Sequence, residues 1–540
     1  VLSYEVYLAQ GANAGAARSQ VGVGGALPGS ANSTDFMHLP LGSFSHLAVF
    51  ARSALAEQTT PATVPLVDVS SSASAVAFAD LDLDVGELGG NVTWEPPGDA
   101  AHVTHYAVYL SEDLAGLNRS LVAGDVANGT NVLLVAEGTS ARDYAHVAVY
   151  AASALAEQST PATVLATDYS VVVAGLALPD LDLDAGEIGG NITWNTPADP
   201  LARATQYALY VAMDAAGTNR SQLGAVQPGT TLVSLAPDFA LGDWSHVIIF
   251  AFSALAEQTT PAATLQPSDV AVHAEAVLFQ DADLDSGDVG GEITWQAPLH
   301  ATMVLSYDVY VSADSAGAGR SPVNSTAVAP LQQGSALVPA DTSRSIYSHA
   351  VVYARSALAE QSTPAADILN DLGVMVDDLT FTDYDLDGGE LGGNITWSPH
   401  DNESHVAHYF VYLAAGSPPS SRSQVGAAIP VGTNQAVVPA DTGFGSFTHY
   451  AVYARSLLAE QTTPAVAEFS DSSGTVLDLT FQDKDLDLAE VGGVVTWALP
   501  TDQALVLSYE VYLAQGANAG AARSQVGLGG ALPGSANSTD

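Results

Sequence analysis

The chain has 540 residues, 13 Lys and Arg against 59 Asp and Glu, a net charge of −46 and no cysteine. That balance argues against nucleic acid and anionic membrane surfaces as partners and points to cations, and the absence of thiols leaves no disulfide to staple a fold. No run of 18 apolar residues occurs, and no secretory leader is visible in this stretch.

Residues 506–540 repeat residues 1–35 with one change, Val23 to Leu528, so a 505-residue unit is starting over. Inside it a G-G-x-[VI]-T-W motif places tryptophans at Trp94, Trp194, Trp295, Trp397 and Trp497, spaced 100 to 102 residues apart. A period near 100 residues is the size of one small domain, so the sequence predicts a string of separate cores. The expected divisions are a partial repeat at 1–67 (the C-terminal part of a module), whole repeats at 68–167, 168–268, 269–370 and 371–470, and a partial repeat at 471–540 (the N-terminal part, restarting the unit). On this reading the chain is a window cut from a longer array.

Along the 68–167 module, AVAFADLDLDVGELGG is followed by NVTWEPP, VTHYAVYLS, the Arg119-Ser120 segment, NVLLVAE and YAHVAVYAASALAEQSTPA. Short alternating apolar runs broken by Gly, Pro, Asn and Asp, with no sustained 3.6-residue period, predict an all-β sandwich. Alternation sends Val92 and Trp94 into the core and Asn91 and Thr93 outward. These residues resemble the fibronectin type III domain: Trp94 followed by Pro96 and Pro97, a Tyr-x-Val strand (Tyr106, Val108), and a Val-x-Val-x-Ala strand (Val147, Val149, Ala151). An immunoglobulin-like extender domain of a bacterial adhesin resembles it similarly. The resemblance implies a tandem array of fibronectin-III/Ig-like β-sandwich domains forming an elongated rod. Tyr144 departs from it, standing one residue out of register for a tyrosine corner.

Before each G-G-x-x-T-W motif lies an acidic ladder, D-x-D-x-D-x-x-[ED]. Its members are Asp80, Asp82, Asp84 and Glu87; Asp180, Asp182, Asp184 and Glu187; Asp281, Asp283, Asp285 and Asp288; Asp383, Asp385, Asp387 and Glu390; and Asp483, Asp485, Asp487 and Glu490. Three carboxylates within five residues repel unless neutralised, and oxygen ligands at alternate positions suit Ca²⁺, although the glycine and closing acid are misplaced for an EF-hand. The alternative is a solvated acidic turn that keeps the sheet edge soluble. In the fibronectin-like topology this turn faces the next module, so the 80–87 ladder is expected to meet a loop such as 253–258, with a cation stiffening the joint.

That loop belongs to a second recurring motif, Leu-Ala-Glu-Gln-[TS]-Thr-Pro, at 55–61, 155–161, 255–261, 358–364 and 458–464. Its constancy reflects either fixed contacts of Glu57, Gln58 and their equivalents or recent duplication. Strand alternation turns further aromatics away from the core, giving a candidate assembly surface of Tyr109, Tyr150, Tyr210, Phe250, Tyr310, Tyr353, Tyr412 and Tyr453. His46, His146, His246, His349 and His449 lack a second ligand at metal spacing and read as structural.

Ten N-x-[ST] sequons, at Asn32, Asn91, Asn118, Asn128, Asn191, Asn219, Asn324, Asn394, Asn402 and Asn537, favour covalent N-glycans on a secreted product if the source is eukaryotic. No nucleophile elbow, P-loop, zincin or dinucleotide motif is present, which argues against an enzyme. The expected function is a non-catalytic structural repeat of an extracellular filament or cell-surface appendage, such as a flagellar hair or cell-coat fibril, self-associating through its modules. The alternatives are the stalk of an adhesin or receptor and a carbohydrate-binding accessory module. The last would need exposed tryptophans, of which only Trp244 is spare.

Overall fold

The computed structural model describes residues 1–540 except 14–16, 22–24, 199–201, 300, 324–332, 518–519, 527–529 and 540. The chain divides into two units, Val1–Pro179 with Asn191–Leu235 and Gly242–Pro267, and Asp180–Gly190 with Ala236–Leu241 and Ser268–Asp540. The second unit thus takes the 180–190 ladder from the module otherwise placed in the first.

The 68–167 module shows the pattern. Its strands are β1 (Ser74–Phe78), β2 (Glu87–Glu95), β3 (His105–Ser111), β4 (Ser120–Ala127), β5 (Val132–Ser140), β6 (His146–Ala152) and β7 (Ala162–Leu165). One antiparallel sheet has the order β5-β2-β1 and the other β7-β6-β3-β4. The same division into three and four strands recurs in the 371–470 module. Between the sheets lie Leu88, Val92, Trp94, Tyr106, Val108, Leu110, Val135, Val147, Val149 and Ala151, the inward residues that alternation predicts. Trp94 and Tyr106 meet edge to face at 5.3 Å. Tyr144 lies half-buried at the rim of this core, where its backbone N–H closes a turn onto the Ala141 carbonyl.

Strand β6 is buried on both faces, which plain alternation does not predict. Tyr150 faces away from the core as expected, yet it is only 2% exposed. The 80–87 ladder connects β1 to β2, and the 153–161 loop connects β6 to β7.

Candidate functional site

The carboxylates of the ladder accept hydrogen bonds from backbone amides. Asp80 Oδ1 accepts from the N–H groups of Asp82 and Gly89, at 3.1 and 2.9 Å, and its Oδ2 accepts from Tyr169 in the segment leading to the next module, at 2.8 Å. Asp82 Oδ1 accepts from the Asp84 N–H, and its Oδ2 from Gly138 at 2.7 Å. Reciprocally, Asp168 in the linker accepts from the Gly86 N–H at 2.8 Å, and the Val171 N–H reaches the Leu83 carbonyl. The linker is thereby laced along the ladder. A carboxylate offers about four lone-pair sites, so one side chain can hold two or three amides.

Asp84 reaches the next module. Its Oδ2 accepts from the Thr259 N–H at 2.6 Å, and its Oδ1 accepts from the Thr260 N–H at 2.9 Å and from the Thr260 hydroxyl. Beside it, Gln258 Nε2 donates to the carbonyls of Leu83 and Val171, while its Oε1 accepts from Ala251 in its own strand. Leu255 packs on the first glycine of the G-G pair, where a Cβ on Gly89 would come 2.6 Å from the leucine Cδ2. The second glycine, Gly90, has φ +136°, and its Cβ would lie 2.5 Å from the Ala79 carbonyl oxygen.

The joint recurs. Asp184 accepts from Ser362 and Thr363 with Gln361 on Leu183 and Val272, and Asp285 accepts from Thr462 and Thr463 with Gln461 on Leu284 and Val374. Asp84, Asp184 and Asp285 are buried, whereas Asp387 and Asp487, whose ladders meet no loop within residues 1–540, are exposed. Leu55, whose loop meets no ladder in this chain, is 95% exposed. The loop keeps its shape without the joint: Ser53 accepts from the Leu55 and Ala56 amides, and Gln58 Oε1 from Ala51, as their equivalents do in the docked loops.

The first acid of the first four ladders accepts from a linker amide, and the cluster that gathers contains the second and third acids, joined in all but the 281–288 ladder by the fourth. Ligand atoms lying within 4.8 Å of one another come from Asp82, Asp84 and Glu87; from Asp182, Asp184, Glu187 and Asp238; from Asp283, Asp285 and Asp341; from Asp385, Asp387, Glu390 and Asp441; and from Asp485, Asp487 and Glu490. Thus Asp80, Asp180, Asp281, Asp383 and Asp483 stand outside these sets, as does Asp288. Sequence spacing missed Asp238, Asp341 and Asp441. They occupy a bulge of the β5-equivalent strand with φ near +60°, a position filled in the 68–167 module by Gly138 at φ +71°, and their N–H groups bind the second ladder aspartate. The legible signal was an Asp or Gly at a left-handed position.

Burial raises the pKa of Asp80, Asp180 and Asp281 above the ordinary carboxylate value, against the lowering by their amide partners. Asp483 has the same kind of amide donors but lies in the open, and its pKa is lowered, by the Gly492 amide first. Burial also raises Glu87 and Glu187, with the neighbouring aspartates adding to the shift.

The aromatics do not form an open assembly surface. Tyr109 and Tyr150 face away from the core and meet edge to face at 5.4 Å, but Arg119 lies 4.2 Å over both rings. Glu157 completes the roof, accepting from Arg119 at 2.7 Å and from the Tyr109 hydroxyl at 2.9 Å. The stack recurs with Tyr210, Phe250, Arg220 and Glu257; with Tyr310, Tyr353, Arg320 and Glu360; and with Tyr412, Tyr453, Arg422 and Glu460. Tyr150, Phe250, Tyr353 and Tyr453 are buried, so the expected patch is closed by the module's own arginine. Six of the twelve arginines, Arg18, Arg119, Arg220, Arg320, Arg422 and Arg523, stand over such rings, so half of this scarce residue goes to one internal duty.

The loop motif is accounted for residue by residue: leucine seats on the glycine pair, glutamate holds the arginine stack, glutamine bridges ladder and linker, and the two hydroxylated residues cap the third aspartate. The recurring histidines open the β6-equivalent strands, where the ring Nδ1 of His46, His246, His349 and His449 pairs with the preceding Ser or Thr hydroxyl. Nine sequon asparagines are exposed, and Asn324 lies outside the described residues.

Strand order and register make the chain a tandem series of fibronectin-III/Ig-like β-sandwiches. No family profile matches it, and no curated protein does. Among solved structures it is similar to the chicken CNTN1 FN1–FN3 domains, at 12% identity and TM-score 0.19, over 56% of this chain and 98% of that one. It is likewise similar to domains A168–A170 from titin, at 11% identity and TM-score 0.22, over 55% and 97%.

Proposed function

We propose that the chain is a structural repeat of an extracellular filament or cell-surface appendage, non-catalytic, in which each module is locked to the next by its acidic ladder. The supporting observation is the joint itself, with the same aspartate, glutamine and leucine contacts at 84/258/255, 184/361/358 and 285/461/458. A flexible tether would leave successive modules unconnected except through the linker. Here at least five hydrogen bonds cross each joint, three of them to a buried carboxylate, and charged acceptors bind more strongly than neutral ones.

Calcium keeps a reduced place in this proposal. The amides already fill much of the ladder's acceptor capacity, so Ca²⁺ would use the lone pairs left on the second and third aspartates together with the glutamate, adding to the joint without being needed to form it. The test is electron microscopy of the native material. Ordered multi-chain filaments with a period tied to five modules are the expected result. Single strings ending in a globular head would replace this reading with an adhesin or receptor stalk.

A further inference from the structure

We infer that Asn91, Asn191 and Asn394 are N-glycan acceptors of this chain, and that Asn118, Asn128, Asn219 and Asn402 hold asparagine for local structural reasons. The inference rests on the extracellular reading only for where the sugar donor is met.

Four of the other positions have a local duty that explains the residue. Asn118 and Asn219 sit at φ +47° and +49° in the turn before the stacked arginine, and the equivalent in the 269–370 module is Gly319 at +58°; Asn and Gly are the residues that tolerate this left-handed geometry. Asn402 accepts from the Ser404 N–H two residues on, and Asp99 and Asp502 do the same in their modules, so that position asks for an Asx turn. Asn128 Nδ2 ties its turn to the Val103 carbonyl at 2.9 Å. Asn537 offers only its backbone carbonyl to the Trp497 N–H, as Asn131, Thr231 and Asn434 do for their tryptophans, so neither assignment extends to this position or to its counterpart Asn32 one 505-residue unit earlier.

Asn91, Asn191 and Asn394 make no side-chain bond to the backbone of the described residues and stand at no left-handed position. They stand mid-strand in β2 and its equivalents, on the outward face, where the other modules carry Glu292 and Val494. Asparagine is disfavoured in strands, so three at a site that accepts any outward residue call for another reason. Thr93, Thr193 and Thr396 supply the hydroxyl two residues on. No described residue accepts a hydrogen bond from Nδ2 of Asn91 or Asn394, and Asn191 is engaged through Oδ1, by Ser234 at 2.8 Å. Across the sheet, Asn91 pairs with Leu134 and Asn394 with Val437, which are 55% and 64% exposed, giving the first sugar an aliphatic surface to cover. In the reaction the amide Nδ2 bonds to the anomeric carbon of a lipid-linked oligosaccharide. The bond from that carbon to the lipid pyrophosphate breaks, the pyrophosphate leaves, and the nitrogen loses one proton.

The test is to secrete the full chain from a eukaryotic cell behind a supplied signal peptide, release the glycans enzymatically in heavy-oxygen water, and read each sequon by mass spectrometry. Because the signal is supplied, the result is independent of where the protein naturally resides. Label concentrated at Asn91, Asn191 and Asn394 is expected, with at least tenfold lower occupancy at Asn118, Asn128, Asn219 and Asn402. Equal occupancy across the sequons, or unmodified Asn91, Asn191 and Asn394 in secreted protein, overturns the assignment. As a check on the backbone argument, Asn118→Gly should leave the melting temperature within a degree or two while Asn118→Val lowers it; the reverse order overturns the backbone reason.

Discussion

Replacing Asp84 by alanine removes a buried acceptor from three donors, the Thr259 N–H, the Thr260 N–H and the Thr260 hydroxyl. Hydrogen bonds to a charged partner contribute about 1.5–3 kcal/mol each. Thr259 and Thr260 are themselves exposed, so water replaces part of what the carboxylate gave, and the net loss at the joint should be about 2–4 kcal/mol. Asp387→Ala is the internal control. The same ladder position, exposed and without a loop against it, should change by no more than about 0.5 kcal/mol. Native-state hydrogen exchange reads the difference directly, because opening of the joint exposes the two threonine amides. In Asp84→Ala their exchange should accelerate about thirtyfold or more, the factor corresponding to the lower figure, while amides within β2 and β6 of the 68–167 module stay protected. Equal effects of the two substitutions, or unchanged exchange at Thr259 and Thr260, would refute the reasoning that the carboxylate carries the joint.

Arg119→Ala should destabilise its module by about 2–3 kcal/mol in urea unfolding, since it removes two ring contacts and the Glu157 ion pair; Arg119→Lys should recover less than half, lacking the planar stack. Asp80, Asp180 and Asp281 have folded pKa values raised above the unfolded ones, so the folded state binds protons more readily, and that stability is present at low pH and lost as pH rises through the raised values. Melting temperature should therefore increase as pH falls from 7 toward the upper carboxylate range, and Asp80→Asn, Asp180→Asn and Asp281→Asn together should flatten that rise. Added Ca²⁺ should raise the melting temperature by a few degrees, and EDTA should leave Thr259 and Thr260 protection intact. Glu187→Gln, at a carboxylate whose Oε2 is buried without a partner, should reduce the calcium response without opening the joint.

The sheets were legible in the sequence because alternation is a property of side chains: Val92 and Trp94 inward, Asn91 outward, and Tyr109 turned from the core all follow from period two. So was the meeting of the 80–87 ladder with the 253–258 loop, which depends only on which turns share a pole. The partners of the ladder were not, because the groups that fill its lone pairs are backbone amides of Gly138, Tyr169, Thr259 and Thr260, and amides carry no sequence signature. The closed aromatic patch escaped for a related reason. Arg119 was visible in its Arg-Ser segment, but its reach over Tyr109 and Tyr150 depends on the pairing of β4 beside β3, which spacing along the chain does not give.

The joint also bears on how such a gene can change length. Each module offers a ladder at one end and a complementary loop at the other, and the residues that meet, such as Asp84 and Thr260, always belong to consecutive modules. Loss or gain of one whole module by recombination between repeats brings together a ladder and a loop of the same two kinds, so no surface has to be reinvented. A change of copy number by whole modules therefore leaves every ladder matched to a loop, whereas a deletion ending inside a module strands an unmatched aspartate or an uncovered leucine.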